Sequence, residues 1–253
     1  MKPSFLHHDK PILTVMIQTH DPEHAIELAK KAIPAGADAF GLQVCQLPLE
    51  YHNPETYQRI FAAMEGKPVY VTNYRHTAND GKTDEEIGEG LVELARSGAT
   101  LCDVIGDMFC PDPEQLTMDP EAVKKQMHLI DRIHEAGGEV LISSHVMKFI
   151  PAERVLEIAR EQVRRGADVV KIVTSADTME QQIENLRINQ ILKQEIDAPI
   201  LFLSGGTCKI HRRMGIFTGN DLCLCVYEHD ELSTKAQPLL ASMKAIQNEF
   251  AEE

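Results

Sequence analysis

The sequence predicts an α/β protein folded as one eight-stranded parallel barrel, the (β/α)8 or TIM architecture, over residues 1–253. Three observations carry this expectation. Eight short apolar runs recur along the chain, helical patterns lie between them, and one glycine-containing joint repeats where helix gives way to strand. The length is that of a single such barrel, and eight strands in a chain of this size favour a closed sheet over an open one.

The apolar runs are Ile12–Ile17, Ala39–Cys45, Val69–Asn73, Thr100–Ile105, Val140–Ser144, Val169–Thr174, Ile200–Ser204 and Leu222–Tyr227. Runs without alternation suit parallel strands covered on both faces. The first helix opens on Asp21-Pro22, an N-cap followed by proline in the first turn, and continues through Ala25, Ile26, Leu28, Ala29 and Ile33. Thr83 and Glu86 have capping-box spacing ahead of Ile87, Leu91, Leu94 and Ala95. Met127, Ile130 and Ile133 mark a further helix, as do Val155, Ile158, Ala159 and Val163, and Leu239, Leu240, Met243 and Ile246 close the chain. The joints read AGAD, SGAT, AGGE and RGAD, with Gly36, Gly98, Gly137 and Gly166 two or three residues before a strand. Glycine suits the left-handed residue that ends a helix.

A formal charge of −14 and a pI near 5.2 make nucleic acid and anionic lipid poor partners. No apolar run approaches the roughly 20 residues of a membrane span. Met1 to Lys10 is polar and lacks a signal-peptide core, so a cytoplasmic location is expected. The six cysteines form no CxxC pair, and reduced thiols are expected rather than disulfides or a metal site. An anionic substrate would need local basic groups, and Arg212-Arg213 is the most visible pair.

Chemistry in this architecture gathers at the C-terminal ends of the strands. Lys171 lies inside the apolar run Val169–Thr174. Lysine is rarely buried, and burial leaves a free amine able to attack a carbonyl; a helix-facing lysine or a structural ion pair are the alternatives. His145 ends the fifth run and could shuttle a proton beside it, although a hydrogen-bonded structural histidine is the commoner case. Ser204-Gly205-Gly206-Thr207 ends the seventh run and could approach an anion or be a plain turn. Arg212 fits a carboxylate bidentately, while Ser233 and Gln237 read in isolation as a solvated helix start.

With these residues in view, the chain resembles the type I 3-dehydroquinate dehydratases. Ser143-Ser144-His145 looks like the family segment ending in the catalytic histidine, and Gly166-Ala167-Asp168-Val169-Val170-Lys171-Ile172 resembles the segment holding its Schiff-base lysine. Ile210-His211-Arg212, followed by Gly215 and Gly219, is similar to the carboxylate-binding arginine segment, and Ser233-Thr234-Lys235-Ala236-Gln237 to the mobile closing loop. The resemblance implies imine formation at Lys171, acid–base work by His145, a carboxylate held by Arg212, Ser233 and Gln237, and no metal or organic cofactor. The first half departs from the pattern. Gly41 and Gln43 stand where the family has a glutamate and an arginine that grip substrate hydroxyls. Arg75 can fill a further arginine place with a one-residue shift, but Asn79 falls where a glutamate orients the histidine. Gln43 and Arg75 thus complete the expected substrate-binding set. The implied activity is that of a hydro-lyase acting on 3-dehydroquinate or a related oxo acid, with poor use of 3-dehydroquinate itself. A class I aldolase, with the Ser204-Gly205-Gly206 turn holding a phosphate, is the alternative from the same imine chemistry, and a non-catalytic binding protein is the third reading. The assembly could extend to a homodimer.

Overall fold

The computed structural model describes residues 3–6 and 8–250. Its elements alternate as β1 (Ile12–Ile17), α1 (Pro22–Ala32), β2 (Ala39–Gln43), α2 (Pro54–Ala62), β3 (Val69–Thr72), α3 (Asp84–Arg96), β4 (Leu101–Ile105) and α4 (Pro120–Glu135). They continue as β5 (Glu139–His145), α5 (Ala152–Arg164), β6 (Val169–Ser175), α6 (Met179–Glu195), β7 (Ile200–Gly205), α7 (His211–Thr218), β8 (Leu222–Cys225) and α8 (Leu240–Glu249). The strands are parallel and ordered β7-β6-β5-β4-β3-β2-β1-β8, so the fold is a (β/α)8 barrel. None of the helices described is long and apolar enough to cross a membrane.

The chain divides into two compact units, the first built from Ile12–Cys102 and the chain from Leu224 onward, the second from Asp103–Cys223. In the first unit Met16 pairs with Gly41, which pairs in turn with Tyr70. The helix starts follow their sequence signals. Asp21 Oδ1 accepts the Glu23 N–H at 3.0 Å, and Thr83 and Glu86 close both bonds of the capping box. In the second unit β5, β6 and β7 pair with Ser143 beside Lys171 and Lys171 beside Leu201. Val170, Ile172, Ile200 and Phe202 pack with Val155, Ile158 and Ala159 of α5 and Ile188 and Leu192 of α6. This apolar layer fixes the other face of β6, that of Lys171, away from the helices, because side chains alternate along a strand.

The four glycines of the repeated joint all have positive φ, from 85° to 112°. Four strands are shorter than the apolar runs suggest, β3 and β4 by one residue each and β2 and β8 by two. β2 stops at Gln43 because Val44–Gln46 coil into a 3-10 turn, and β8 stops at Cys225, with Val226 making an isolated bridge to Leu239. Three helices, α2, α6 and α7, were not marked by apolar spacing. In α6 the reason is visible: Gln182, Asn185 and Asn189 are buried alongside Ile188 and Leu192. Asn185 and Asn189 donate inward to Ser204 and to the Gly215 carbonyl. A helix that buries amides erases the contrast between its faces.

Candidate active site

Lys171 is 4 % exposed, and its Nζ lies 2.9 Å from Oδ2 of Asp103, a side chain on β4 that is itself fully buried. Ser143 Oγ donates to the other Asp103 oxygen at 2.5 Å. A buried ion pair persists only when its remaining lone pairs are met, and Ser143 meets one of them. Behind the strands, Gln162 of α5 ties β5 to β6. Its amide nitrogen donates to Ser144 Oγ (3.1 Å) and to the Lys171 carbonyl (3.0 Å), and its oxygen accepts the Lys171 N–H at 3.2 Å.

His145 is the last residue of β5, two positions beyond Ser143 and therefore on the same face as Lys171. Its Nδ1 lies 2.6 Å from Gln115 Oε1. Burial, then the Lys171 charge, and to a lesser degree Arg212, push the imidazole down to about 3 against the opposing pull of Asp103. It is therefore a neutral ring near pH 7, in a form that accepts a proton. Arg212, on the first turn of α7, donates Nε–H to the Ser204 carbonyl at 3.0 Å, and burial lowers its pKa. Among the described residues it has no carboxylate partner.

The second unit thus holds Lys171, His145 and Arg212; the other expected residues lie in the first. Gln43 Oε1 accepts from Gln18 Nε2 at 2.7 Å. Gln18 also donates to Thr234 Oγ1 at 3.2 Å and accepts the Thr234 N–H at 2.8 Å, so it pins the segment carrying Ser233 and Gln237. Ser233 is spent on a turn with Asp230, whereas Oε1 of the buried Gln237 has no hydrogen-bond partner among the described residues. Arg75 is placed differently from a free substrate ligand. It grips Asp84, at the start of α3, through two bonds of 2.7 Å. Asn79 donates to Asn73 Oδ1 and to the Tyr74 carbonyl. Gly41 leaves room for Met16: a Cβ there would sit 2.2 Å from Met16 Sδ.

The turn after β7 offers little to a phosphate. The Thr207 N–H donates to Asp177 Oδ1 at 3.1 Å, and a Cβ on Gly206 would lie 2.7 Å from that same oxygen. A carboxylate stands where an anion would have to enter. No disulfide joins any of the six cysteines among the described residues. Sequence reading missed Asp103, Ser143, Gln115, Gln162 and Gln18. Asp103 alone left a signal, as an acid inside an apolar run.

The candidate site of the second unit is thus a buried lysine on β6, a neutral histidine on β5 and an arginine after β7 that has no carboxylate partner among the described residues. The type I 3-dehydroquinase profile matches residues 13–249, and the chain belongs to that family, which serves the shikimate route to aromatic amino acids. No curated protein sequence matches. Among solved structures, the 3-dehydroquinate dehydratase of Geobacillus kaustophilus HTA426 is 16% identical, with a TM-score of 0.79 over 96% of this chain and 92% of that one. The type I enzyme of Clostridium difficile with covalently modified comenic acid is 19% identical, with a TM-score of 0.79 over 97% and 94%. That of Aquifex aeolicus VF5 is 22% identical, with a TM-score of 0.71 over 96% and 100%. At these identities the likeness is one of fold.

Proposed function

We propose that the chain is a Schiff-base-forming hydro-lyase that removes water from a 3-oxo hydroxy acid. The observation that carries this reading is the Lys171–Asp103 pair, buried and at 2.9 Å, with His145 on the same face of the adjoining strand. Asp103 lies in position to take a proton from Lys171, whose amine then adds to the ketone and expels water as the imine forms. The neutral His145 accepts the neighbouring α-proton through Nε2, and the electron pair left behind runs into the imine to give an enamine. The enamine returns the pair, the β-hydroxyl leaves, and His145 supplies the proton that makes it water. Hydrolysis frees Lys171 and the unsaturated product. Arg212, with no carboxylate partner among the described residues, is the anchor for the substrate carboxylate.

The test is a continuous assay of the conjugated product with 3-dehydroquinate at high enzyme concentration, comparing the wild type with Lys171→Ala. Slow turnover that Lys171→Ala abolishes supports the reading; equal rates in the two proteins overturn it. The aldolase reading has no comparable support, since the turn that would hold a phosphate is occupied by Asp177.

A further inference from the structure

The family pattern orients its histidine with a glutamate, and in this chain that place is Asn79, which is turned to Asn73 and Tyr74. We infer that Gln115, from the loop between β4 and α4, is the positioning residue of His145 and holds it as the Nδ1–H tautomer, with Nε2 unprotonated. This rests on the proposed acid–base role of His145, although the geometry stands without it.

The hydrogen bonds settle the amide's orientation. Gln115 Oε1 faces both the His145 backbone N–H, at 3.2 Å, and the ring Nδ1, at 2.6 Å. A backbone N–H can only donate, so the atom facing it must be the amide oxygen. The same oxygen can then only accept from Nδ1, which places the ring proton there and leaves Nε2 as the base.

The loop is built to hold that position. Gln115 has φ +50°, a left-handed conformation rare for a side chain of this kind. Its carbonyl accepts from Ser144 Oγ at 2.9 Å and lies where a Cβ on Gly106 would be only 2.5 Å away. The fully buried Arg165 clamps both ends of the loop. It donates to the Gly106 carbonyl (2.9 Å), to the Thr117 carbonyl and to Gln126 Oε1 (2.9 Å), and pairs with Glu161 at 2.8 Å. Glu114, next in the chain, is held by Arg154 and Lys148.

An amide differs from a carboxylate in one respect that can be measured. It fixes the tautomer without drawing a proton onto the ring. The charged groups acting on His145 are Lys171 of β6, Asp103 of β4 and Arg212 of α7. Replacing Gln115 by Glu adds a negative charge against Nδ1–H.

Long-range nitrogen–proton NMR of ring-labelled protein reads the tautomer directly and needs no substrate, so its outcome is separate from that of the dehydration assay. The His145 signal is identified by its loss in His145→Gln. The wild type should show protonated Nδ1 and unprotonated Nε2, unchanged between pH 8 and pH 5. Gln115→Asn is the informative variant. Asparagine suits the left-handed backbone better than glutamine and so preserves the loop, but it withdraws the oxygen by one methylene. It should move the ring toward the Nε2–H form. Gln115→Glu should keep Nδ1–H and raise the titration midpoint by roughly one to three units. An Nε2–H ring in the wild type, a wild-type pattern in Gln115→Asn, or an unmoved midpoint in Gln115→Glu would each overturn the inference.

Discussion

Lys171 and His145 are asked to do opposite things by one environment. Burial keeps the imidazole neutral, down to about 3, while the adjoining lysine keeps a carboxylate partner 2.9 Å away. His145 should therefore act as a base with no acid limb of its own, and kcat/KM between pH 8 and pH 5 should not fall through its titration. A pH–rate profile with a histidine limb near 6.5 would contradict this. In His145→Ala the imine should still form, while solvent-deuterium exchange at the substrate α-carbon should slow by about 10²–10⁴-fold. A second buried histidine bears on stability instead. His211 lies edge-on to Phe202 at 5.1 Å, and burial, then Arg212, push it down to about 4. The unfolded chain binds a proton near 6.5 that the folded chain refuses until much lower pH. Stability from this group is thus complete above about pH 6.5 and is lost as the pH falls toward 4. Urea unfolding at pH 7 and pH 5 should differ by about 2 kcal/mol from this residue, a share that His211→Leu should remove.

The loop between β4 and α4 shows how one element serves a site it does not dominate. Arg165 meets the Gly106 and Thr117 carbonyls, Gln126 and Glu161 with a planar fork, which lysine cannot reproduce. Arg165→Lys should lower stability by about 2 kcal/mol or more in urea unfolding, and its kcat should fall with it because Gln115 loses its support. Unchanged activity at reduced stability would uncouple the clamp from His145. The same loop marks the limit of what the sequence discloses. The strands, the glycine joints and the first capping signals were legible because they rest on local rules of spacing and backbone geometry. Lys171 and His145 were legible because each sits in or at the end of an apolar run. Gln115 gives no such signal, since its role depends on a chain reversal pinned by Arg165, fifty residues later. Likewise Met16, filling the space at Gly41, could not be read from either residue alone. Gly41→Glu with Gln43→Arg should therefore fail on its own to supply a hydroxyl grip, because the new side chain meets Met16 and overpacking costs about 1–3 kcal/mol. Shortening Met16 to Ala in the same protein should be required before 3-dehydroquinate turnover rises.

Across the molecule, the second unit holds the proposed amine, base and carboxylate anchor, while in the first Gly41, Gln43 and Asn79 stand where the resemblance puts charged groups. Gln43, at the place where the resemblance puts the arginine, joins Gln18 and Thr234 in a neutral network, and Gly41 stands at the place of the glutamate. Each charged hydrogen bond lost is worth on the order of 1.5–3 kcal/mol, so two losses should lower kcat/KM for 3-dehydroquinate by roughly two to four powers of ten. A steady-state kcat/KM of about 10⁴ M⁻¹s⁻¹ or more with this substrate would show that other groups read the hydroxyl edge. Specificity and chemistry are separable here, and the chemistry can be tested without knowing the preferred substrate. Borohydride reduction in the presence of 3-dehydroquinate, followed by peptide mass spectrometry, reports the imine itself. A reduced adduct on the peptide containing Lys171, absent from Lys171→Ala and retained in His145→Ala, is the predicted result. An adduct on any other lysine, or none with 3-dehydroquinate and a panel of oxo acids, would contradict the account.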